Sequence, residues 1–214
     1  MKESKTREKI LKNIRNALIY KSDNPFPNID FESPIYKSLE DSLDIAFAQA
    51  LLKVSGEFIF CENKDDLLKN LQALIFEKKW KNIYCQEEEI MNILSFENIA
   101  FHQDEEKFLN VEASITGCEY LIARLGSIMV SSKQTKSRRI VCFPPVHIVI
   151  AYSHQLVPDI KDAFSGMKEK YGSNLPSLIS LITGPSRTAD IEKTLVMGAH
   201  GPKELYVFLI DEKK

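Results

Sequence analysis

The amino-acid sequence predicts an α/β protein in which a mostly parallel sheet is flanked by helices and preceded by an N-terminal helical appendage. From residue 57 onward, short apolar runs typical of strands alternate with stretches whose apolar residues recur at helical spacing. This βαβα order is typical of a parallel sheet covered by helices. Ahead of it, a charged amphipathic stretch is followed by a proline-rich segment. We therefore predict an N-terminal helix with an extended linker at residues 1–36 and the α/β domain at residues 37–214.

The N-terminal part begins with a predicted amphipathic helix from about residue 6 to residue 20. Its apolar residues recur at helical spacing: Ile10, Leu11, Ile14, Ala17 and Leu18. Three prolines between residues 22 and 34 predict an extended linker. The α/β domain then opens with a helix that we expect Ser38 to cap and Gly56 to end.

The remaining elements follow from short apolar runs and from helical spacing. Strands are predicted at residues 57–61, 82–85, 99–101, 111–116, 127–130, 147–151, 178–182 and 205–210, and a further apolar run covers 139–143. Helices are predicted at 65–79, 87–94 and 158–171, the last weakened by Gly166. Residues 119–123 fit either a short helix or a strand. The last two strands are expected to close the same sheet.

Composition excludes several classes of function. The chain has 214 residues, 44% of them hydrophobic and 27% charged, which is ordinary for a globular protein with a substantial core. A net charge of −2 offers no electrostatic basis for binding nucleic acid. No apolar segment approaches the roughly 20 residues that span a bilayer. The charged N-terminus lacks the apolar region of a secretory signal, so a cytoplasmic location is expected.

The cysteines indicate no metal site. Cys61, Cys85, Cys118 and Cys142 lie far apart in the sequence, without the short spacing of metal-ligand pairs. We predict reduced and mostly buried thiols. No metal and no cofactor are therefore predicted for this chain itself.

The densest group of polar residues and glycines lies between the last two predicted strands, at Gly184–Glu192 and Gly198–Pro202. Thr188 could cap a short helix that starts at Ala189, with Asp190 in its first turn. A glycine-rich turn before a helix also presents free backbone N–H groups. Together with Arg187, these groups could bind a phosphate or a carboxylate. The structural and the functional interpretation are compatible.

Ligands bind at the carboxyl ends of parallel strands. We therefore take as candidate site residues those at the glycine- or proline-marked junctions that follow predicted strands. The candidate catalytic residues, for acid–base or nucleophilic roles, are Glu119, His147 and Glu192. The candidate ligand-binding residues are Gly117, Gly126, Ser127, Gly184, Ser186, Arg187, Thr188, Asp190, His200 and Gly201. That these junctions converge is a hypothesis. Alternatively, Arg187 only pairs with a nearby carboxylate, and His147 is a buried histidine of the core.

The segment GPSRTADIEKTLVMGAHGPKELYVFLID resembles the C-terminal signature of the LUD-domain family, in its lactate utilization protein C group. Residues 143–148 and 157–159 match the same group. The resemblance implies a LUD-type α/β domain with a NagB/RpiA/CoA-transferase-like fold. It also implies a role in the oxidation of L-lactate to pyruvate, with a small anionic metabolite as ligand and iron–sulfur clusters in partner subunits only. The chain departs from the family at Ala123-Arg124-Leu125-Gly126, where an acidic residue is common ahead of the glycine.

Two further classes of function stay open at this point. The first is a stand-alone enzyme of the isomerase, CoA-transferase or cyclo-ligase type, because the implied fold is shared with such enzymes. The second is a non-catalytic regulatory or assembly domain, which the absence of a standard catalytic motif favours.

Overall fold

The computed structural model describes residues 3–19, 25–30, 36–135, 137–191, 194–198 and 200–211. For residues 3–5, 105–107, 138, 188–191 and 194–196 it describes the backbone alone. The chain divides into two units, Met1–Ser38 and Leu39–Lys214. The first unit contains the helix α1, Glu3–Ile19, which confirms the predicted N-terminal helix. Ile10, Ile14 and Leu18 on this helix are half exposed or more.

The second unit carries the other elements. Its helices are α2 (Leu43–Lys53), α3 (Lys64–Lys78), α4 (Glu88–Phe96) and α5 (Ile160–Tyr171). Its strands are β1 (Glu57–Cys61), β2 (Ile83–Tyr84), β3 (Ala113–Thr116), β4 (Tyr120–Ile122), β5 (Ser127–Ser131), β6 (Val146–Tyr152), β7 (Leu156–Val157), β8 (Ile179–Ile182), β9 (Arg187–Ile191), β10 (Thr194–Met197) and β11 (Glu204–Ile210). Short 3-10 segments cover Glu105–Asn110, Arg138–Val141 and Ser153–Gln155.

Five described strands form a parallel sheet in the order β1-β11-β6-β3-β2, and each neighbouring pair in it runs parallel. The predicted fold class, a mostly parallel sheet with flanking helices, is therefore confirmed. A second sheet has the order β7-β4-β5-β8, in which β5 runs antiparallel to both of its neighbours. The expectation that residues 178–182 close the first sheet was wrong, because β8 pairs with β5.

The layers follow from the alternation of side chains along buried strands. In β6, Ile148 and Ile150 face the core that α3 and α4 cover, whereas Val149 and Ala151 face the core shared by α2 and the second sheet. The strand β11 alternates in the same way. Helix α5 packs on the second sheet, where Ala163 and Met167 contact Ile122 and Met129. The parallel sheet is thus buried on both faces, as its nearly continuous apolar runs require.

Several predicted boundaries were wrong for identifiable reasons. Helix α2 starts at Leu43 after Ser42, not after Ser38, since Ala46 makes the first helical hydrogen bond to the Ser42 carbonyl. Residues 99–101 form no strand, because the two-residue strand β2 meets this segment only at the single bridge from Tyr84 to His102. The apolar run at 139–143 lies largely in a 3-10 segment.

The predicted short helix after Thr188 was also wrong. Residues 187–191 form β9, which pairs antiparallel with β10 in a separate two-stranded hairpin. The two strands are rich in β-branched residues, which favour strand over helix. No helix N-terminus therefore follows Gly184.

Candidate functional site

A cavity of about 300 Å³ lies at the carboxyl ends of β2, β3 and β6. This is the edge of a parallel sheet where ligands bind. We call it the carboxyl-edge pocket, and its polar lining includes Glu87, Gly117, Gln134, Tyr152, Gln155 and Lys170.

Glu87 is held in the pocket by two sets of hydrogen bonds. The Gly117 N–H donates to both of its carboxylate oxygens at 3.1 Å, and the Gln134 Nε2 approaches the same two oxygens at 3.2 Å. A Cβ at residue 117 would lie 3.0 Å from Glu87 Oε2, so a larger residue there would press on this carboxylate. Burial raises the pKa of Glu87 to about 7, opposed by these hydrogen bonds and reinforced by the negative charges of Glu119 and Glu89. Glu87 therefore gains or loses its proton near neutral pH.

Glu119 lies behind the pocket wall and is fully occupied by donors. Lys170 Nζ pairs with it at 2.8 Å, while the hydroxyls of Ser131 and Tyr171 donate to it at 2.5 and 2.7 Å. Burial by itself raises the pKa of Glu119, but the hydrogen bonds from Lys170, Ser131 and Tyr171 outweigh it and hold that pKa below its usual value. Glu119 is thus a fixed negative charge that positions the Lys170 ammonium at the pocket.

The segment after β6 forms another wall of the pocket. Gln155 donates through Nε2 to the Cys118 carbonyl at 2.5 Å and accepts from the Tyr152 N–H at 2.8 Å. The Tyr152 ring stacks on His154 with the ring centroids 5.7 Å apart, and its hydroxyl bonds to Glu89 at 3.2 Å. These contacts bring β6 and the segment after β3 together, so the pocket is largely formed before a ligand enters.

Of the residues predicted from sequence, Gly117 and Glu119 lie at this pocket. His147 does not. It is fully buried in the sheet, where its Nε2 lies 2.8 Å from Thr116 Oγ1. Burial lowers the pKa of His147 to about 4, so its ring is neutral at pH 7.

Gly126, Ser127 and Gly184 lie where the second sheet meets α2. A Cβ on Gly126 would be 2.3 Å from the Leu51 backbone nitrogen, and a Cβ on Gly184 would be 2.3 Å from the Val54 carbonyl oxygen. The Ser127 hydroxyl bonds to Thr183 at 2.7 Å. The absence of a side chain at both glycines lets the sheet approach the helix backbone closely.

The predicted loop residues belong to the opposite edge of the parallel sheet. The Ser186 N–H donates to the Pro202 carbonyl at 2.8 Å, and a Cβ on Gly201 would lie 3.0 Å from Ser186 Cβ. This stretch leads into the amino end of β11, where Glu204 is in register with Ala113, four residues before Gly117. At about 3.3 Å per residue, that separation is roughly 13 Å along the strands.

The structure therefore does not bring the predicted loop residues, such as Ser186 and Gly201, to the same edge of the sheet as Gly117 and Glu119. Arg187 and His200 are exposed. The backbones of Thr188 and Asp190 lie in β9, and Glu192 lies outside the described residues.

Arg124, the departure from the family pattern, has a structural partner. Its Nε and Nη2 bond to the two carboxylate oxygens of Asp159 at 2.5 and 3.3 Å, and its N–H donates to the Pro158 carbonyl. Asp159 also caps α5 in a capping box with Asp162. Arg124 thus ties the end of β4 to the start of α5 and is not part of the pocket lining.

Sequence reasoning missed Glu87, Gln134 and Lys170. Glu87 had a usable signal, because it lies two residues after a predicted strand and opens a predicted helix at the edge where ligands bind. Gln134 and Lys170 had none, since they reach the pocket from distant parts of the chain without a local motif.

The cysteines supply no reactive thiolate at the pocket. Cys61, Cys85 and Cys118 are buried free thiols, as predicted, and Cys142 is exposed. Burial raises the pKa of Cys85, close to the pocket, to about 12, so this thiol stays protonated.

Within the part of the chain that the structure describes, no helix combines the length and apolar character needed to cross a membrane.

A family model described as LUD domain matches residues 46–210. An uncharacterized protein of Neisseria meningitidis serogroup B is 36% identical over 122 residues, which are 54% of this chain and 52% of that protein. Lactate utilization protein C of Bacillus licheniformis is 29% identical over 154 residues, covering 70% of this chain and 61% of that protein. The homologue of that name in Halalkalibacterium halodurans is 33% identical over 110 residues, or 50% and 48%. These alignments span roughly half to three fifths of each relative.

Among solved structures, the crystal structure of a DUF162 family protein from Deinococcus radiodurans superposes with a TM-score of 0.55 at 15% identity. The match covers 78% of this chain and 96% of that chain. At this identity the likeness shows a shared fold.

Proposed function

Because the chain belongs to the LUD-domain family, we propose that it acts in lactate utilization and binds a small carboxylate metabolite in the carboxyl-edge pocket. The family membership rests on the match over residues 46–210, and the pathway on relatives named lactate utilization protein C. We also propose that the oxidation of L-lactate to pyruvate involves partner subunits, whose iron–sulfur clusters accept the electrons. In this proposal the present chain supplies the site for the organic acid.

The observation that carries the proposal is the position of the Lys170 ammonium. It lines the pocket while Glu119, buried behind it, holds it at 2.8 Å. The Gln134 and Gln155 amides and the Glu87 carboxyl add hydrogen-bonding groups around the same space. The carboxylate of lactate or pyruvate could accept hydrogen bonds from the Lys170 ammonium. The oxygen on carbon 2 of the ligand would then lie next to the Gln134 and Gln155 amides.

The 184–192 segment remains a rival location for the anion. Arg187 is exposed there, but the Ser186 N–H that was expected to face the ligand is bonded to the Pro202 carbonyl. We favour the carboxyl-edge pocket because it is concave and because Glu119 holds the Lys170 ammonium in position there. Each location has one cation that can be substituted, Lys170 in the pocket and Arg187 in the 184–192 segment.

The test is a thermal-shift titration with L-lactate and pyruvate on four proteins: wild type, Lys170→Met, Lys168→Met and Arg187→Met. A ligand at 100 times its Kd stabilises the protein by about 2.7 kcal/mol. We expect the ligand-induced shift to vanish in Lys170→Met. Lys168 is exposed on the same helix, so Lys168→Met is the matched control and keeps the shift.

Each shift is measured against the same variant without ligand, so any loss of stability from the substitution itself cancels. Loss of the shift in Arg187→Met with retention in Lys170→Met would move the site to the 184–192 segment. A wild-type protein that responds to neither acid would refute the ligand assignment and support an assembly role.

A further inference from the structure

We propose that the carboxyl-edge pocket takes up a monocarboxylate together with one proton, which Glu87 carries and which Gln134 accommodates by turning its side-chain amide over. This inference rests on the proposed function, because the same pocket binds the acid. It adds that binding is linked to pH through two named residues.

The charge balance of the pocket favours such a proton. Its ammonium, on Lys170, is already paired with Glu119 at 2.8 Å. The other titratable groups around Glu87 are Cys85 and Glu89 on its own segment, Cys118 and Glu119 after β3, and Tyr152 at the end of β6 with His154 after it. An entering carboxylate therefore meets the acidic side chains Glu87 and Glu89. Two charged carboxylates in one site repel each other, so the bound ligand favours the neutral form of Glu87.

Gln134 is suited to both charge states of Glu87. In the structure its Nε2 faces both carboxylate oxygens at 3.2 Å, as a donor to the charged form. Its Oε1 is buried and has no hydrogen-bond partner among the described residues. Turning the amide by half a rotation exchanges the two atoms, so Oε1 then accepts a hydrogen bond from the protonated Glu87.

The Gly117 N–H is fixed by the backbone and donates to Glu87 in the present arrangement. It therefore holds the carboxyl in place while the amide turns. An amide side chain can both donate and accept in this way, whereas a methionine of similar size can do neither. We therefore assign Gln134 as a positioning residue for the Glu87 proton.

The linkage sets a magnitude. If only protein with a protonated Glu87 accepts the carboxylate, the apparent Kd is the intrinsic Kd divided by the protonated fraction. Burial places the pKa of Glu87 at about 7. Binding should then be about tenfold weaker at pH 8 than at pH 6.

The first experiment is isothermal titration calorimetry of the wild-type chain with L-lactate and with pyruvate at pH 6 and pH 8. At each pH, two buffers of different ionisation enthalpy give the number of protons taken up. We expect uptake approaching one proton per ligand at pH 8 and the tenfold change in Kd. In Glu87→Gln we expect binding that takes up no proton and varies little with pH.

The second experiment tests Gln134 without a ligand. Carbon-13 NMR of the glutamate side-chain carboxyls follows the titration of Glu87, assigned by comparison with Glu87→Gln. A residue that only donates stabilises only the carboxylate, so Gln134→Met would move the midpoint upward by about one pH unit or more. A turning amide stabilises both forms, so the midpoint should stay in place.

The outcomes separate the two proposals. Absence of binding by either acid at both pH values refutes the proposed function. Binding without proton uptake and with equal affinity at pH 6 and pH 8 leaves that function standing and overturns the proton linkage. An upward shift of the Glu87 midpoint in Gln134→Met overturns the turning amide.

Discussion

Gly126 offers a direct test of how the second sheet is positioned. Its φ is +61°, and a Cβ would lie 2.3 Å from the Leu51 nitrogen and 2.6 Å from the Ala50 carbonyl carbon. These are backbone atoms of α2, so relief requires moving a helix. In Gly126→Ala, the left-handed backbone costs about 1–2 kcal/mol and the overpacking about 1–3 kcal/mol. We expect the free energy of unfolding to fall by about 2–5 kcal/mol and the melting temperature by about 10 °C.

The assay is urea denaturation at pH 7, with Gly172→Ala as a second positive-φ variant. Gly172 has φ +55° and ψ −128°, outside the left-handed helical region, and a Cβ there would have no atom within 4 Å, so this variant shows a backbone cost without a clash. The reasoning is refuted if Gly126→Ala loses less than about 2 kcal/mol, which the left-handed backbone alone would explain. Gly126→Ala protein that still folds should bind ligand normally, because Gly126 is not part of the pocket lining.

Two further predictions concern charge. Lys170→Met leaves the Glu119 carboxylate buried with Ser131 and Tyr171 as donors. We expect a loss of about 1–2 kcal/mol at pH 7, discounted because half of the Lys170 side chain is in solvent. The folded-state pKa of Glu119 is lowered, so this deficit should shrink as the pH falls through that pKa, and a deficit unchanged at pH 3 would contradict the ion pair. The folded-state pKa of Glu87 is raised from 4.5 to about 7, so the folded protein binds the extra proton between those values. Wild type should therefore lose about 3 kcal/mol relative to Glu87→Gln between pH 4.5 and pH 8, and parallel stability curves of the two proteins would exclude the raised pKa.

Much of the fold could be predicted because it depends on local patterns. The apolar runs at 147–151 and 205–210 became β6 and β11, and the spacing at 158–171 predicted α5 to within two residues at its start. Capping was less certain, because Ser38 and Ser42 both precede acidic residues and only the helical hydrogen bond of Ala46 distinguishes them. The helix predicted after Thr188 was wrong, because residues 187–191 contain β-branched side chains and pair as a strand with β10, which follows them.

The candidate site was predicted only in part, through Gly117 and Glu119. Pooling all the glycine-marked junctions into one site assumed that they meet, whereas Gly126 and Gly184 lie against α2 and Ser186 and Gly201 lie near the amino end of β11. The surroundings of Glu119 could not be predicted either. Its neighbours Lys170 and Tyr171 come from a helix about fifty residues later, and they turn a candidate base into a fixed charge.

By itself, the sequence determined the α/β class, the central strands β6 and β11, the helix α5 and the family resemblance. These depend on periodicity and on motifs, which act within a few residues of each other. Only the tertiary structure decided that β3 lies beside β6, that Glu87 meets Gln134 47 residues away, and that Lys170 lies next to Glu119. The physical reason is that a strand's pattern specifies which faces are buried but not which strands become neighbours. The pocket is built by that order, where carboxyl ends from separate segments of the chain come together.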